Sequence, residues 1–272
     1  MLSPTHAAVL GSPVAHSLSP VLHRAAYAWL GLADWTYEAL EVRDDAALRV
    51  VLAGDWAGLS LTMPLKRFVL PMLDVVTDLA RDVGAVNTVV FGPRGRVGHN
   101  TDVEGMVQAL SEAGVSSVPA GAGCVVGGGA TAASALAALA TLGDRSPSVV
   151  LRDVARAADL AAAAGRLGVT PALVPWDQAS PVLGATTCVI STVPASGSGA
   201  VVVPTAVQGV LLDVVYDPWP TPLTLRWERA GGTTVGGFTM LLHQAVGQVR
   251  LMTGLDPSTD IMRTAGLAVL GR

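Results

Sequence analysis

Short apolar runs alternate with segments of helical spacing along most of the chain. Ala7-Ala8-Val9-Leu10 reads as a strand, about Pro20 to Leu30 as a helix, Thr36 to Val42 as a strand and Ala46 to Val51 as a helix. A further strand ends at Thr62, and another fits Asn87 to Phe91. Such alternation predicts an α/β fold with a mostly parallel sheet and helices on its faces. Helical spacing resumes from Asp102 to Ala113, and the Ser-, Gly- and Pro-rich stretch Gly114 to Gly123 then breaks it before a second alternating series begins. At 272 residues the chain exceeds the usual size of one compact domain, so two domains are expected, with the crossing near Val103.

The second series opens on the clearest local motif. Cys124-Val125-Val126 is a buried-strand run, Gly127-Gly128-Gly129-Ala130-Thr131-Ala132 is a glycine-rich turn, and Ala133 to Leu142 is an Ala/Leu helix ending at Gly143. The next strand is Ser148 to Leu151, which completes a βαβ unit. There Gly127 and Gly129 let the backbone meet a pyrophosphate at the helix N-terminus, while Ala132 stands where a third small residue allows helix and strand to approach. The G-X-G-X-X-A spacing is weak alone, and its strand and helix flanks are what favour a dinucleotide. At the end of the second strand the adenosine ribose is read. Arg152 and Arg156 could clamp a 2′-phosphate there, whereas Asp153 could accept from a free 2′-hydroxyl or cap the following helix. NADP is the expected cofactor, with NAD left open.

Composition narrows the classes. Hydrophobic residues are 51% of the chain but aromatics only 4%, so the core is expected to be built from Ala, Val and Leu. Apolar runs are cut by Gly, Pro or charge, as at Pro204 and Gln208 within Ala200 to Val215, which leaves none long enough to cross a bilayer. A net charge of -4 without basic runs argues against a nucleic-acid surface. Cys124 and Cys188 are too few for a disulfide framework, and the histidines, among them His16 and His23, lack metal-ligand spacing. Met1-Leu2-Ser3-Pro4-Thr5-His6 lacks the basic start of a secretory signal, so a cytoplasmic protein is expected.

One residue changes the picture. Lys66, within Ser60-Leu61-Thr62-Met63-Pro64-Leu65-Lys66, is the sole lysine among 17 basic residues, the rest being arginine. Guanidinium cannot release a proton at accessible pH, whereas an amine can be tuned to do so, which makes Lys66 the first candidate for proton transfer. Other polar landmarks sit in or beside apolar runs: Ser17 and Ser19 after the first strand, Asn87-Thr88, Asn100-Thr101-Asp102, and Gln244. Each has a structural alternative, since Ser19 could cap a helix opening at Pro20, Asn87 could hold a turn, and Asp102 could cap the next helix. Together with Lys66 they form the hydroxyl, amide, carboxylate and amine set that suits a small polyhydroxylated acid.

These segments, taken in order, resemble the shikimate dehydrogenase family over essentially the whole chain. The resemblance is carried by Gly11 to Pro20, Leu61 to Lys66, Gly84 to Thr88, Gly98 to Gly105, Val126 to Thr131, Ser191 to Pro194, Asp213 to Pro218 with Thr221-Pro222-Leu223, and Gly237 to Ala245. It implies reversible NADPH-dependent reduction of 3-dehydroshikimate to shikimate, on the route to chorismate and the aromatic amino acids. It also implies a substrate-binding and catalytic domain over residues 1–103, a Rossmann-like NADP-binding domain over 104–238, and a helical segment 239–272 that returns to the first domain. The active site would lie between the domains, and the assembly would be a monomer or a homodimer.

Residue by residue, the resemblance gives Lys66 and Asp102 as the catalytic pair, and Ser17, Ser19, Thr62, Asn87, Tyr216 and Gln244 with them as binders of the substrate carboxylate and ring hydroxyls. Asp78 would approach the nicotinamide side, and Thr192, Val193, Val214, Gly237 and Met240 would line the nicotinamide pocket. Gly127, Gly128, Gly129, Ala130, Thr131, Arg152 and Arg156 would hold the rest of the cofactor. Some positions depart from the family pattern: Ser60 stands where asparagine is common, Ala130 where a further glycine is common, Ala133 where arginine is usual, and Leu151-Arg152-Asp153 where Asn-Arg-Thr is frequent. Ser19 keeps the second hydroxyl at which quinate-preferring relatives often carry threonine. The alternatives are an NAD-preferring quinate/shikimate or aminoshikimate dehydrogenase and, more distantly, a sensor that binds nucleotide or cyclic acid without turnover.

Overall fold

The alternation of apolar runs resolves into two six-stranded sheets in a computed structural model that describes residues 4–272, apart from the side chain of Arg156. Residues 1–3 of the N-terminal reading, and the Arg156 side chain, thus lie outside the described set. Two compact units divide the chain: residues through Thr101 together with Leu242–Arg272 form the first, and Asp102–Leu241 the second.

In the first unit the order is β1 (His6–Gly11), α1 (Ser19–Trp29), β2 (Thr36–Glu41), α2 (Asp45–Leu52), β3 (Gly58–Leu61), α3 (Leu65–Phe68), β4 (Val75–Val76), α4 (Asp78–Val83), β5 (Thr88–Gly92) and β6 (Gly95–His99). Strands run β2-β1-β3-β5-β6-β4 across the sheet. β1 pairs in parallel with both β2 and β3, and as an inner strand covered on both faces it is apolar without interruption from Ala7 to Leu10. Asp44 caps α2 by accepting from the Ala47 N–H at 2.9 Å, which turns Leu48 and Leu52 inward four residues apart. The sheet is mixed rather than wholly parallel, because β5 runs antiparallel to β3 and to β6.

β6 carries no periodic signal, since Val97 is the lone apolar side chain between Gly95 and His99. A polar clamp secures it instead. Asp74 accepts from the Arg96 backbone N–H at 2.8 Å and from its guanidinium at 3.0 and 3.2 Å. Gly95, at φ +78, turns the hairpin against that carboxylate, where a Cβ would collide.

The second unit continues with α5 (Asp102–Glu112), β7 (Gly123–Val126), α6 (Ala130–Thr141), β8 (Ser148–Leu151), α7 (Ala158–Leu167), β9 (Ala172–Pro175), α8 (Ala179–Ala185), β10 (Cys188–Ser191), α9 (Ala195–Ser198), β11 (Val210–Asp213), α10 (Pro222–Arg229) and β12 (Thr233–Gly236). All its strands are parallel, in the order β12-β11-β10-β7-β8-β9. The chain winds outward from β7 through β8 and β9, then returns to start again at β10. β7 and β10 therefore flank the topological switch, beyond whose carboxyl ends ligands bind in such sheets.

Helix α6 begins at Ala130, three residues earlier than the glycine-rich turn suggested, because alanine is the best helix former and Gly129 serves as N-cap. Ala132 to Leu139 are all buried, so the Ala-rich sequence reflects a helix packed on several sides. Trp227, wholly buried, satisfies its indole N–H on the Gly209 carbonyl at 3.0 Å. Finally α11 (Gly237–Thr253) gives its residues through Leu241 to the second unit and the remainder to the first, where α12 (Thr259–Val269) packs on α1. Among the described residues no helix is long and apolar enough to cross a membrane.

Candidate active site

In the first unit the carboxyl ends of β1, β3 and β6 and the amino end of β5 bring the candidate polar residues together. Ser17 Oγ accepts from the Ser19 N–H at 3.2 Å, so the first of the two hydroxyls steadies the turn into α1. Ser19 is buried and is the first helical residue rather than the cap, since Leu18 is the capping position. Thr62 follows β3 directly, and its backbone is held at both sides: its N–H donates to Leu10 O at 2.8 Å, and its carbonyl accepts from Leu65 N at 2.8 Å. Lys66 is half-buried in the single turn α3, where its carbonyl accepts from the Val86 N–H at 2.8 Å. This ties the lysine segment to the residue just before Asn87.

Asn87 is the hub of a buried cluster. Its Oδ1 accepts from the Thr101 N–H at 2.8 Å and from the Thr88 hydroxyl at 2.9 Å, while its Nδ2 donates to Thr101 Oγ1 at 2.9 Å and to Gln244 Oε1 at 3.3 Å. Asn87 is 1% exposed and Gln244 6%, so each unpaired amide group here would cost roughly 1 to 3 kcal/mol. Asn87 therefore holds the segment before Asp102 as well as the helix α11. Nearby, Asn100 donates to the Ala85 carbonyl at 3.0 Å, which fixes the same segment a second time. Asp102 is itself buried, at the first position of α5.

Other positions lie elsewhere. Asp78 opens α4 with its side chain 92% exposed, paired with Arg81 at 2.7 Å. Tyr216 is half-buried in the segment after β11. The base of that segment is fastened by Asp213, wholly buried, which accepts from Thr221 Oγ1 at 2.7 Å and from the Val215 N–H at 3.3 Å. Burial pushes the Asp213 carboxyl up to about 6, against the opposing pull of its Thr221 and Val215 hydrogen bonds.

The glycine motif occupies the switch point of the second unit. Gly127 has φ +122 and lies so close to Thr192 that a Cβ would run into the threonine hydroxyl. Thr192 in turn donates from its N–H and its Oγ1 to the Val126 carbonyl, at 2.8 and 3.2 Å, which locks the end of β10 to the end of β7. Gly128 and Gly129 are exposed, no side chain caps α6, and its first turn carries no acidic residue. Such a helix start, twelve residues long and open to solvent, suits an anion. Ala130 and Thr131 form its first turn. Arg152 is exposed after β8, and Asp153 caps the short turn Val154–Arg156 by accepting from the Ala155 N–H at 3.0 Å. Gly237 approaches the Val214 backbone so closely that any Cβ would collide with it, and Val193 and Met240 are buried.

Gln248 was not among the residues singled out from sequence. It sits one helical turn beyond Gln244 and donates to the Asn87 carbonyl at 3.2 Å and to Thr88 Oγ1 at 3.1 Å. The i, i+4 spacing of two glutamines on a largely apolar helix is the signal that would have found it.

An α/β unit with buried amides and a lone lysine, and a doubly wound nucleotide-type unit with a glycine turn at its switch point, define a two-domain protein of the dinucleotide-dependent oxidoreductase class. The family model for the shikimate dehydrogenase substrate binding domain matches residues 9–89, and that for the shikimate 5'-dehydrogenase C-terminal domain matches residues 237–265. A shikimate dehydrogenase (NADP(+)) of Geobacter metallireducens is 36% identical over 97% of this chain and 96% of its own length. Among solved structures, Mycobacterium tuberculosis shikimate dehydrogenase is 41% identical with a TM-score of 0.85, over 98% of this chain and 100% of that one. A Thermus thermophilus shikimate 5-dehydrogenase in complex with NADP(H) and shikimate is 31% identical with a TM-score of 0.79, over 97% and 98% of the two chains. The chain belongs to the shikimate dehydrogenase family.

Proposed function

We propose that the protein is an NADP-dependent shikimate dehydrogenase, which reduces 3-dehydroshikimate to shikimate and runs in reverse when shikimate is supplied. The observation that carries this reading is the buried cluster around Asn87, because fixed amides and hydroxyls beside a lysine are what a ring of hydroxyls and a carboxylate require. The first unit is assigned the substrate. From it Ser17, Ser19 and Thr62 supply hydroxyls and Asn87 and Gln244 amides, while Tyr216 of the second unit supplies a phenol.

The second unit is assigned the cofactor. A glycine at φ +122 with no room for a Cβ, followed by a helix whose first turn carries no acidic residue, fits a pyrophosphate, and Arg152 after β8 supplies the charge that a 2′-phosphate needs. NADP(H), when bound, supplies or takes up the hydride. Thr192, Val193, Val214, Gly237 and Met240 shape the nicotinamide side, with Asp78 toward its approach. In the reductive direction negative charge grows on the substrate oxygen, and Lys66 shares its proton with that atom; in reverse its amine takes the hydroxyl proton. Asp102 favours and directs the ammonium by opposite charge. General acid–base help of this kind contributes roughly 10²–10⁴-fold.

Offering shikimate or quinate with NADP or NAD, and following the absorbance of reduced cofactor, tests substrate and cofactor together. Shikimate with NADP is expected to give the highest kcat/KM. Quinate with NAD as the fastest pair would replace this reading by the quinate alternative, and no turnover with any pair would overturn it.

A further inference from the structure

Beneath the amide cluster of the first unit runs a chain of buried polar side chains with a single direction. The Tyr37 hydroxyl donates to Ser60 Oγ at 2.6 Å, and Ser60 donates to Gln248 Oε1 at 2.9 Å. Gln248 Nε2 donates to Thr88 Oγ1 at 3.1 Å, Thr88 to Asn87 Oδ1 at 2.9 Å, and Asn87 Nδ2 to Gln244 Oε1 at 3.3 Å. Tyr37 and Thr88 are 0% exposed, Gln248 2% and Ser60 3%.

Backbone groups settle the polarity of the chain. The Thr101 N–H can only donate, so the atom of Asn87 that it meets is the oxygen; the Asn87 carbonyl can only accept, so the atom of Gln248 facing it is the nitrogen. With both amides fixed, every hydroxyl between them has one allowed orientation. At the far end, Tyr37 is clamped by the His23 ring stacked on it at 3.9 Å. His23 is itself anchored on the Ser19 carbonyl at 2.9 Å. Through His23 the phenol therefore links Ser19 on α1 to Asn87 and Gln244 across the sheet.

Apolar residues would fill these positions at lower risk, since a buried network destabilises as soon as one member loses its partner. Orientation is what the network adds. With its Oε1 held by Asn87, the Gln244 amide is fixed in one of its two orientations. We propose that Tyr37 and Gln248, neither of which needs to touch substrate, are positioning residues that fix Ser19, Asn87 and Gln244 for recognition of a hydroxylated ring acid. This assignment rests on the function proposed above.

Tyr37→Phe removes one oxygen, and Gln248→Met removes both polar ends while keeping length. Each is compared with wild type using whichever of shikimate or quinate the wild type turns over faster. Each single variant is expected to raise the KM for that acid about 5- to 30-fold, with kcat within about threefold and the NADP KM within about twofold. The double variant is expected to fall well short of the product of the two, because either change breaks the same chain. A folded Tyr37→Phe with substrate KM within about twofold of wild type, or with a loss borne equally by the NADP KM, overturns the assignment. If Gln248→Met does not fold, Tyr37→Phe decides alone; its own failure to fold assigns the hydroxyl to stability and overturns the proposal too. A wild type inert toward both acids overturns the functional reading itself, which an active wild type with unmoved variants does not.

Discussion

The two units meet their proposed ligands with different parts of the polypeptide. In the first, Asn87, Thr88, Thr101, Gln244 and Gln248 hold one another by side-chain hydrogen bonds in a buried cluster. In the second, Gly127, Gly128 and Gly129 offer backbone at the start of α6, with close approach of Thr192 in place of a polar cluster. A small ring acid is distinguished from its analogues by where its hydroxyls point, and only side chains fixed from behind can test that. A pyrophosphate offers charge and little shape, for which N–H groups and room suffice.

The sharpest way to break this contrast is to remove the hub of the first unit. Asn87→Ala leaves the Thr101 N–H and the Thr88 hydroxyl buried without their acceptor, at roughly 2 to 5 kcal/mol in total. Calorimetry is expected to record a melting temperature lower by roughly 4 °C or more. Shikimate KM is expected to rise with it while the NADP KM holds.

A smaller effect concerns Asp213, which fastens the segment carrying Tyr216. Its folded pKa of about 6 lies above the ordinary 3.8, so between those values the folded state holds more protons than the unfolded one. Its contribution to stability is present below about pH 4 and is lost as pH rises through 6, an expected decline on the order of 3 kcal/mol. Denaturant titrations of wild type and Asp213→Asn at pH 4 and pH 7 should show the wild type losing that margin relative to the variant. A difference that does not change with pH would remove the titrating role.

Smaller again is the backbone test in the second unit. Gly127→Ala places a Cβ at φ +122 against Thr192, a strain of about 1 to 3 kcal/mol. Its signature is expected to be a NADP KM raised about tenfold with shikimate KM unchanged, the mirror image of Asn87→Ala. Equal loss for both ligands in either variant would erase the contrast between the units.

Much of the fold was legible because inner parallel strands and amphipathic helices write their periods into the sequence. β1, β2, β7 and β8 and helices α1 and α2 lie within a residue or two of the expected spans. β6 was not legible, since what holds it is the Asp74–Arg96 clamp and a glycine turn rather than an apolar pattern. The early start of α6 was hidden because Ala130-Thr131-Ala132 continues a glycine run and reads as turn until the helix is seen to take its cap from Gly129. At the candidate site, Lys66 stood out by being alone, and Asn87 and Gln244 by being polar in apolar runs. Gln248, Ser60 and Tyr37 did not, because their roles exist only through partners as far as 188 positions away in the chain. Asp153 had two open roles, and its hydrogen bond to the Ala155 N–H adds weight to the capping one.

The most direct measurement is a comparison of wild type and Lys66→Arg by shikimate binding and by turnover with NADP. Arginine keeps the positive charge but cannot exchange the proton, so shikimate Kd is expected to stay within about threefold while kcat falls roughly 10²–10⁴-fold. Near-normal turnover of the arginine variant would contradict the assignment of proton transfer to Lys66.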